Sequence, residues 1–292
     1  MGIERYFDLS GKVALVTGAA SVPKVSYEKV LSQIGAPSNL IEAAREWERE
    51  STATNLGSAF AEAMAEAGAD IVICDKNVEG LRETEEKIIK MGRKCLSFIC
   101  DVTDEIQVSK MIQDIVNHYG HLDILINNAG IAGVAKMIHE YSTEEWNEVI
   151  AVNLQGVFYC CREALKVMVQ QKSGKIINIA SIWGLAASSS IIAIPAYCAA
   201  KGAVANLTRE LGLEYATYGI NVNAICPGFF ISGIANRAYE SPDFVKALLE
   251  FIPMRRLAFP EQIKGLAIFL ASKASDYMTG ETIVIDGGIM GK

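Results

Sequence analysis

Tyr197 and Lys201 stand four residues apart in a segment that reads as helix from Ala196 onward. Four residues is about one helical turn, so both side chains leave the same face. An ammonium beside a phenol favours the phenolate. Moving a phenol pKa from about 10 to about 7 takes about 4 kcal/mol of differential stabilisation. A cation a few ångströms away in a partly dry cleft supplies much of that. The pair is therefore equipped to hold a tyrosine poised between phenol and phenolate. Spacing alone is weak evidence, because this composition yields about one such pair by chance. The other chemistry-bearing residue types exclude more than they offer. His118, His121 and His139 have no metal-ligand spacing, so no metal site is expected. The seven cysteines contain no Cys-x-x-Cys and leave one unpaired in any complete pairing; they read as reduced, buried thiols of a cytoplasmic protein.

Elements must position these residues. The 292 residues, 51% hydrophobic and 21% charged, suffice for one large α/β domain and are too apolar for disorder. A net charge of −7 offers no basic face to nucleic acid. No apolar run is long enough to span a membrane, and the first residues lack a signal-peptide core. Seven β-branched runs read as strands: Lys12–Thr17, Asp70–Cys74, Cys95–Cys100, Leu122–Asn127, Lys175–Ala180, Asn221–Cys226 and Thr282–Asp286. Their near-continuous apolar character fits a parallel sheet covered on both faces. Helical patterns fall between them at Ala59–Ala67, Val78–Met91, Asp104–Tyr119, Thr143–Gln170, Ala196–Tyr218 and Pro260–Ser272. The expectation is a single Rossmann-like domain over residues 1–292, with a doubly wound sheet of about seven strands and helices on both faces.

One segment breaks the alternation. About forty residues separate the first strand from Ala59, where a βα turn takes two to six. Two helices are expected there, Tyr27–Ile34 and Leu40–Glu50, the second opened by Asn39 as N-cap with Glu42 three residues on. Val30, Leu31 and Ile34 would then face Leu40, Ala44 and Trp47 as a hairpin with one apolar side. The segment, residues 22–54, reads either as a flap over a ligand or as a surface hairpin spliced into a turn.

The first strand runs into Thr17-Gly18-Ala19-Ala20, and Asn55-Leu56-Gly57 opens the helix beyond the excess segment. The fourth strand ends in Asn127-Asn128-Ala129-Gly130. With Asn153, Ser181, Tyr-x-x-x-Lys at Tyr197 and Lys201, Pro227-Gly228 and Asp286-Gly287-Gly288 in that order, the chain resembles the short-chain dehydrogenase/reductase family. Set against that family's T-G-x-x-x-G-x-G fingerprint, the chain carries a net insertion of about 33 residues in the phosphate loop. Asn55 takes the place of the middle glycine, where an asparagine tolerates positive φ. Ser181 and Tyr197 lie three residues further apart than is usual, a difference assigned to Ser188–Ile192.

The resemblance implies a nicotinamide cofactor held by Gly18, Asn55, Leu56, Gly57, Asp75, Asp101, Val102, Asn128, Ala129, Gly130, Tyr197, Lys201, Pro227, Gly228 and Ser232. Asp75 closes the second strand, where a carboxylate accepts from ribose hydroxyls and repels a 2′-phosphate; it favours NAD(H), with Lys76 beside it as the counter-argument. By the same resemblance Tyr197 is the general acid/base and Ser181 binds the substrate oxygen. Lys201 lowers the tyrosine pKa and holds the nicotinamide ribose, and Asn153 supports a proton relay. The substrate pocket should be bordered by residues 131–134, 182–194 and 229–251, with Trp183 and Phe229 as contacts in an apolar wall that also includes Leu185, Phe230 and Ile234. Ser188-Ser189-Ser190 is either a set of hydrogen-bonding groups for a hydroxylated substrate or a solvated loop. A small sugar, polyol or hydroxy compound and a homotetramer are the implied partners, with no nucleic acid and no membrane. Two alternatives stay open: an NADPH-dependent 3-oxoacyl carrier-protein reductase, and a non-catalytic scaffold whose interrupted loop has lost the cofactor.

Overall fold

A computed structural model describes residues 2–24, 26–232 and 238–291, so Ile234 lies outside the described residues. The chain begins with β1 (Val13–Thr17), α1 (Tyr27–Gln33), α2 (Ser38–Glu50) and α3 (Leu56–Glu66). It continues through β2 (Asp70–Asp75), α4 (Val78–Lys90), β3 (Cys95–Ile99), α5 (Glu105–Tyr119) and β4 (Ile124–Asn127). Next come α6 (Thr143–Ile150), α7 (Gly156–Gln171), β5 (Gly174–Ile179) and α8 (Pro195–Glu214). The last elements are β6 (Ile220–Pro227), α9 (Pro242–Phe251), α10 (Lys264–Ala271) and β7 (Thr282–Ile285).

All seven strands are parallel, in the order β3-β2-β1-β4-β5-β6-β7. Strand pleat sorts the apolar residues into two layers. Ala14, Val16, Ile71 and Ile73 pack with α3 and α10 on one face; Val13, Leu15, Val72 and Cys74 pack with α5, α7 and α8 on the other. All five residues of β1 are therefore buried, which explains the uninterrupted apolar run. β1 lies between β2 and β4, so the sheet reverses direction of winding there and leaves a crevice at the strands' carboxyl ends. Among the described residues no helix is long and apolar enough to cross a membrane. All seven cysteines are free thiols.

Three readings of the sequence need correction. The single helix expected over Thr143–Gln170 is split by a π turn at Ala151–Gln155, which holds Asn153. The 3.6-residue pattern continues through one extra residue, which periodicity does not register. The second hairpin helix starts at Ser38 after Pro37, not at an Asn39 cap, and no side chain caps it. Helix α9 was not read; Ser241 caps it through the Phe244 amide and Pro242 fills its first position, a start signal present in the sequence.

The excursion between β1 and α3 forms the expected hairpin, with Val30, Leu31, Leu40, Ala44 and Trp47 buried in one cluster. Its neck is closed at Val22, whose amide donates to Thr54 Oγ1 at 3.0 Å. The apolar side does not cover the crevice. It leans on the segment that follows β6, where Tyr27 Oη accepts from the Leu257 amide. Trp47 stacks on Phe259 at 5.2 Å and donates from Nε1 to Glu261 at 2.7 Å. Of residues 22–54 only Val22 reaches the crevice wall among the described residues.

Candidate active site

The crevice is a cavity of about 680 Å³. Its wall contains every residue assigned above to cofactor, catalysis or substrate contact except Asn153. One end is built from main chain. Gly18 sits at φ +65°, and a Cβ there would stand 2.7 Å from Ala129 Cα. A Cβ on Gly57 would stand 2.0 Å from the Gly18 carbonyl oxygen. Only bare backbone fits at both positions. The first-turn amides of Leu56 and Gly57, at the start of α3, have no intrahelical acceptor and face the same cavity. This cradle fits a pyrophosphate.

Asn55 works differently from expectation. Its φ is −157°, extended backbone that any residue adopts, so positive φ plays no part. Its Oδ1 caps the Ser58 amide at 2.8 Å and its Nδ2 donates to the Ala20 carbonyl at 2.8 Å. The side chain thus pins the start of α3 to the end of the turn that follows β1. Thr17, given no role from sequence, holds the neighbouring strand: its hydroxyl accepts from the amides of Asn128 and Ala129, both at 3.0 Å. Asn128 Nδ2 donates back to the carbonyls of Thr17 and Gly18. Asn127 lies deeper and donates to Asn178 at 2.8 Å, which donates to Thr208 at 3.0 Å, tying β4 to β5 and α8.

At the end of β2, Asp75 accepts from the amides of Ala20 and Asn77. It does not cap α4; Asn77 does, through the Gly80 amide. Lys76 is turned to Asp101, 3.2 Å away. Val102 is buried beside that pair against Gly156. Pro227 and Gly228 extend β6 along Asp286, and Ser232 follows on the wall.

At the other end the reacting groups converge. Ser181 ends the β5 connection and its Oγ accepts from the Trp183 amide at 3.1 Å. Burial pushes the Tyr197 phenol up to about 12, and the Ser181 hydroxyl beside it pulls the other way. The expected depression of the phenol by Lys201 is not found. Lys201 Nζ lies 5.7 Å from the Tyr197 ring centroid and donates to the Ile179 carbonyl at 2.7 Å. Burial also pushes its own pKa down to about 8. Desolvation is the dominant influence on each group. Asn153 is one layer behind the wall, fully buried, and its amide exchanges two 2.8 Å hydrogen bonds with the main chain of Ile131. The π turn aims it there, under Gly130.

Trp183 and Phe229 stand edge to face at 6.0 Å. Phe230 joins them on the wall, but Leu185 packs into the core on the far side of the sheet. Ser188 is buried and paired with Cys198, while Ser189 and Ser190 are exposed and off the wall, so two of the three serines fit the solvated-loop reading and none lines the cavity. Tyr239 and Phe244, which sequence reading did not single out, complete the aromatic wall. The Ser241-Pro242 signal that opens α9 was the available clue.

A family model described as enoyl-(acyl carrier protein) reductase matches residues 52–290. The chain is 36% identical over 283 residues to 2-dehydro-3-deoxy-D-gluconate 5-dehydrogenase from Dickeya dadantii, covering 97% of this chain and 96% of that protein. The crystal structure of a short-chain type dehydrogenase/reductase from Mycobacterium marinum superposes with a TM-score of 0.84 at 31% identity, covering 99% of each chain. The structure of a gluconate 5-dehydrogenase from Burkholderia cenocepacia, in complex with NADP and tartrate, gives 0.83 at 30% identity over the whole of both chains.

Proposed function

The chain belongs to the short-chain dehydrogenase/reductase family, and from that premise we propose that it is an NAD(H)-dependent oxidoreductase interconverting a secondary alcohol and a ketone of the sugar, polyol or small hydroxy class. The observation that carries this reading is the single cavity joining the Gly18–Gly57 cradle to the Ser181–Tyr197 pair. The relatives named for gluconate chemistry support the substrate class.

In this reading Gly18, Asn55, Leu56 and Gly57 hold the pyrophosphate, and Asp75 takes the adenosine ribose. Asp101 and Val102 border the adenine, with Asn128, Ala129 and Gly130 along the middle and Pro227, Gly228 and Ser232 at the nicotinamide. The bound cofactor supplies the hydride chemistry. Tyr197 passes a proton to or from the substrate oxygen, and Ser181 steadies the charge that develops on it. Lys201 holds the nicotinamide ribose. Asn153 acts by fixing Ile131 beneath the site, the support of a proton relay. NAD(H) is favoured because the described cations of the cavity wall are Lys76, paired with Asp101, and Lys201 at the far end. A 2′-phosphate would meet the Asp75 carboxylate first.

We read residues 22–54 as a net insertion of 33 residues into the phosphate loop, supported by the neck at Val22 and Thr54 and by a family match that begins at residue 52. A homotetramer through α6, α7 and α8 is proposed, with Phe158 and Leu213 exposed on those helices. The cytoplasm is proposed on the strength of the seven free thiols. Titration of the purified chain with NADH and NADPH, followed by nicotinamide fluorescence, tests the reading. Tight NADH and weak NADPH binding is the expected result. Preference for NADPH overturns the NAD(H) assignment, turnover of a 3-oxoacyl carrier-protein substrate then being the separate check of the reductase alternative, and binding of neither favours the scaffold.

A further inference from the structure

We propose that Lys87 is a positioning residue for the cofactor: from behind the cavity wall its ammonium clasps the outgoing and returning chain at the neck between β1 and α3, and orients the hydroxyls that hold the turn after β1. The inference rests on the cofactor reading of the Gly18–Gly57 cradle and goes beyond it. The two halves of that cradle are far apart along the chain. Gly18 and Ala20 come from the turn after β1, and Asn55, Leu56 and Gly57 come from the start of α3, with residues 22–54 between them. A connection of that length holds its ends together weakly, because closing it costs chain entropy. Contacts across the neck must therefore set the spacing of the two halves.

Helix α4 supplies such contacts from outside. Gly80, Thr84 and Lys87 stand at positions i, i+4 and i+7, on one face of the helix. At Gly80 two backbones touch: its carbonyl accepts from the Ser21 amide at 2.9 Å, and a Cβ there would stand 2.2 Å from the Ser21 carbonyl oxygen. Ser21 is buried between Ala20 and Val22 of the cavity wall, and its hydroxyl meets α4. Lys87 Nζ donates to Ser21 Oγ at 3.1 Å on the outgoing chain and to the Thr52 carbonyl at 2.8 Å on the returning chain. Ser21 Oγ and Thr84 Oγ1 lie 3.1 Å apart, and Thr84 Oγ1 donates to the Ala19 carbonyl at 2.8 Å. The ammonium at one end can only donate and the carbonyl at the other can only accept, which leaves the two hydroxyls one direction. Lys87 thereby orders a chain of hydrogen bonds that ends on the residue after Gly18. Further out, Lys24 Nζ donates to the carbonyls of Glu48 at 3.0 Å and Ser51 at 2.6 Å and closes the same neck. None of these groups is assigned to the cofactor, so Lys87 acts on the cradle through the main chain.

The test titrates the full chain with NADH and with NADPH, following nicotinamide fluorescence, beside a thermal melt of each variant. Lys87→Met keeps the stem and removes the donors; it should raise the Kd of the preferred cofactor by about tenfold, the weight of one or two lost hydrogen bonds. Lys87→Arg keeps donors and should stay within about threefold of the wild type. Ser21→Ala should also raise Kd, and in the double variant the rise should fall short of the product of the two single effects, because both act through one contact. A merely structural lysine would lower the melting temperature and leave Kd where it was, and that result overturns the assignment. A loss in Lys87→Arg as large as in Lys87→Met overturns it as well. Should Lys87→Met not fold, Ser21→Ala carries the test, and an unchanged Kd there overturns the proposal while the cofactor reading stands. Wild-type protein that binds neither cofactor overturns both.

Discussion

The two ends of the cavity are made of different material. The cofactor end is main chain: two glycines where a Cβ has no room, the open amides of α3, and strand ends tied by Thr17, Asn55 and Asn128. The substrate end is side chain: an aromatic wall from the 3-10 turn at Ala238–Glu240, α9 and the residues after β5 and β6, with the hairpin of α1 and α2 leaning on it from outside. Backbone cradles tolerate few residue types, so they leave a motif in the sequence. Side-chain walls tolerate many apolar substitutions, so they leave only composition.

The comparison breaks most sharply at the junction of the two ends. Tyr197→Phe should lower turnover by about a thousandfold or more while NADH affinity is kept, because the proton donor is lost and the cradle is untouched; single-turnover rates alongside the fluorescence titration check both halves. Gly57→Ala places a methyl group 2.0 Å from the Gly18 oxygen. Backbone must move there, and NADH affinity should fall about a hundredfold, with a lower melting temperature. Retained affinity would mean that the cradle is not where the pyrophosphate sits.

Next in size is the pH response. With the Tyr197 phenol pushed up to about 12, its protonated form persists from pH 7 to 9. Ketone reduction, which uses the phenol as acid, should stay flat over that range. Alcohol oxidation, which uses the phenolate, should rise by up to about tenfold per pH unit over the same range. Reduction that falls steeply above pH 7 would place the working phenol pKa near neutrality instead. Asp75→Ala should move the NADPH-to-NADH preference toward NADPH by about tenfold, since a carboxylate facing the ribose edge is removed; parallel Kd measurements decide it.

The smallest effect lies furthest out. Trp47→Phe removes the donor to Glu261, whose other carboxylate oxygen is already buried without a partner. Stability should fall by about 1–2 kcal/mol at neutral pH. Burial already raises the Glu261 pKa, so its folded form holds a proton more readily than the unfolded chain. The deficit should therefore shrink as the pH drops into the carboxylate range, and thermal melts at two pH values would show it. KM should rise a few-fold if the hairpin steadies the aromatic wall.

Much of the architecture is legible in the residue pattern alone. The strand runs, the doubly wound sheet and the existence of both hairpin helices follow from residue periodicity, because burial on two faces and on one face leave different patterns. Boundaries were off where local chemistry differed from the pattern: Pro37 in place of Asn39, and the π turn hidden in Thr143–Gln170. Asn127, Asn128 and Gly18 are recognisable as a motif, and a sheet-bracing part for Asn127 is legible with them, but the parts of Asn128 and Thr17 are not. Asn127 braces the sheet, Asn128 braces the glycine turn, and Thr17 holds the amides between them.

By itself the sequence determined the periodicities that build the sheet, the glycines that admit no side chain, and the set of hydroxyl, amine and amide groups available for proton transfer. These are local properties, decided by backbone sterics and residue chemistry within a few positions. Only the tertiary structure decided which way each long-range choice fell. It committed Lys201 to a carbonyl and not to the phenol, turned Leu185 away from the cavity, and buried Ser188 out of reach. It also brought Tyr239 onto the same cavity wall as a tyrosine 42 positions earlier in the chain and set the hairpin against Leu257 and Phe259. Desolvation and packing between distant segments govern those outcomes, and neither is a function of neighbours in sequence.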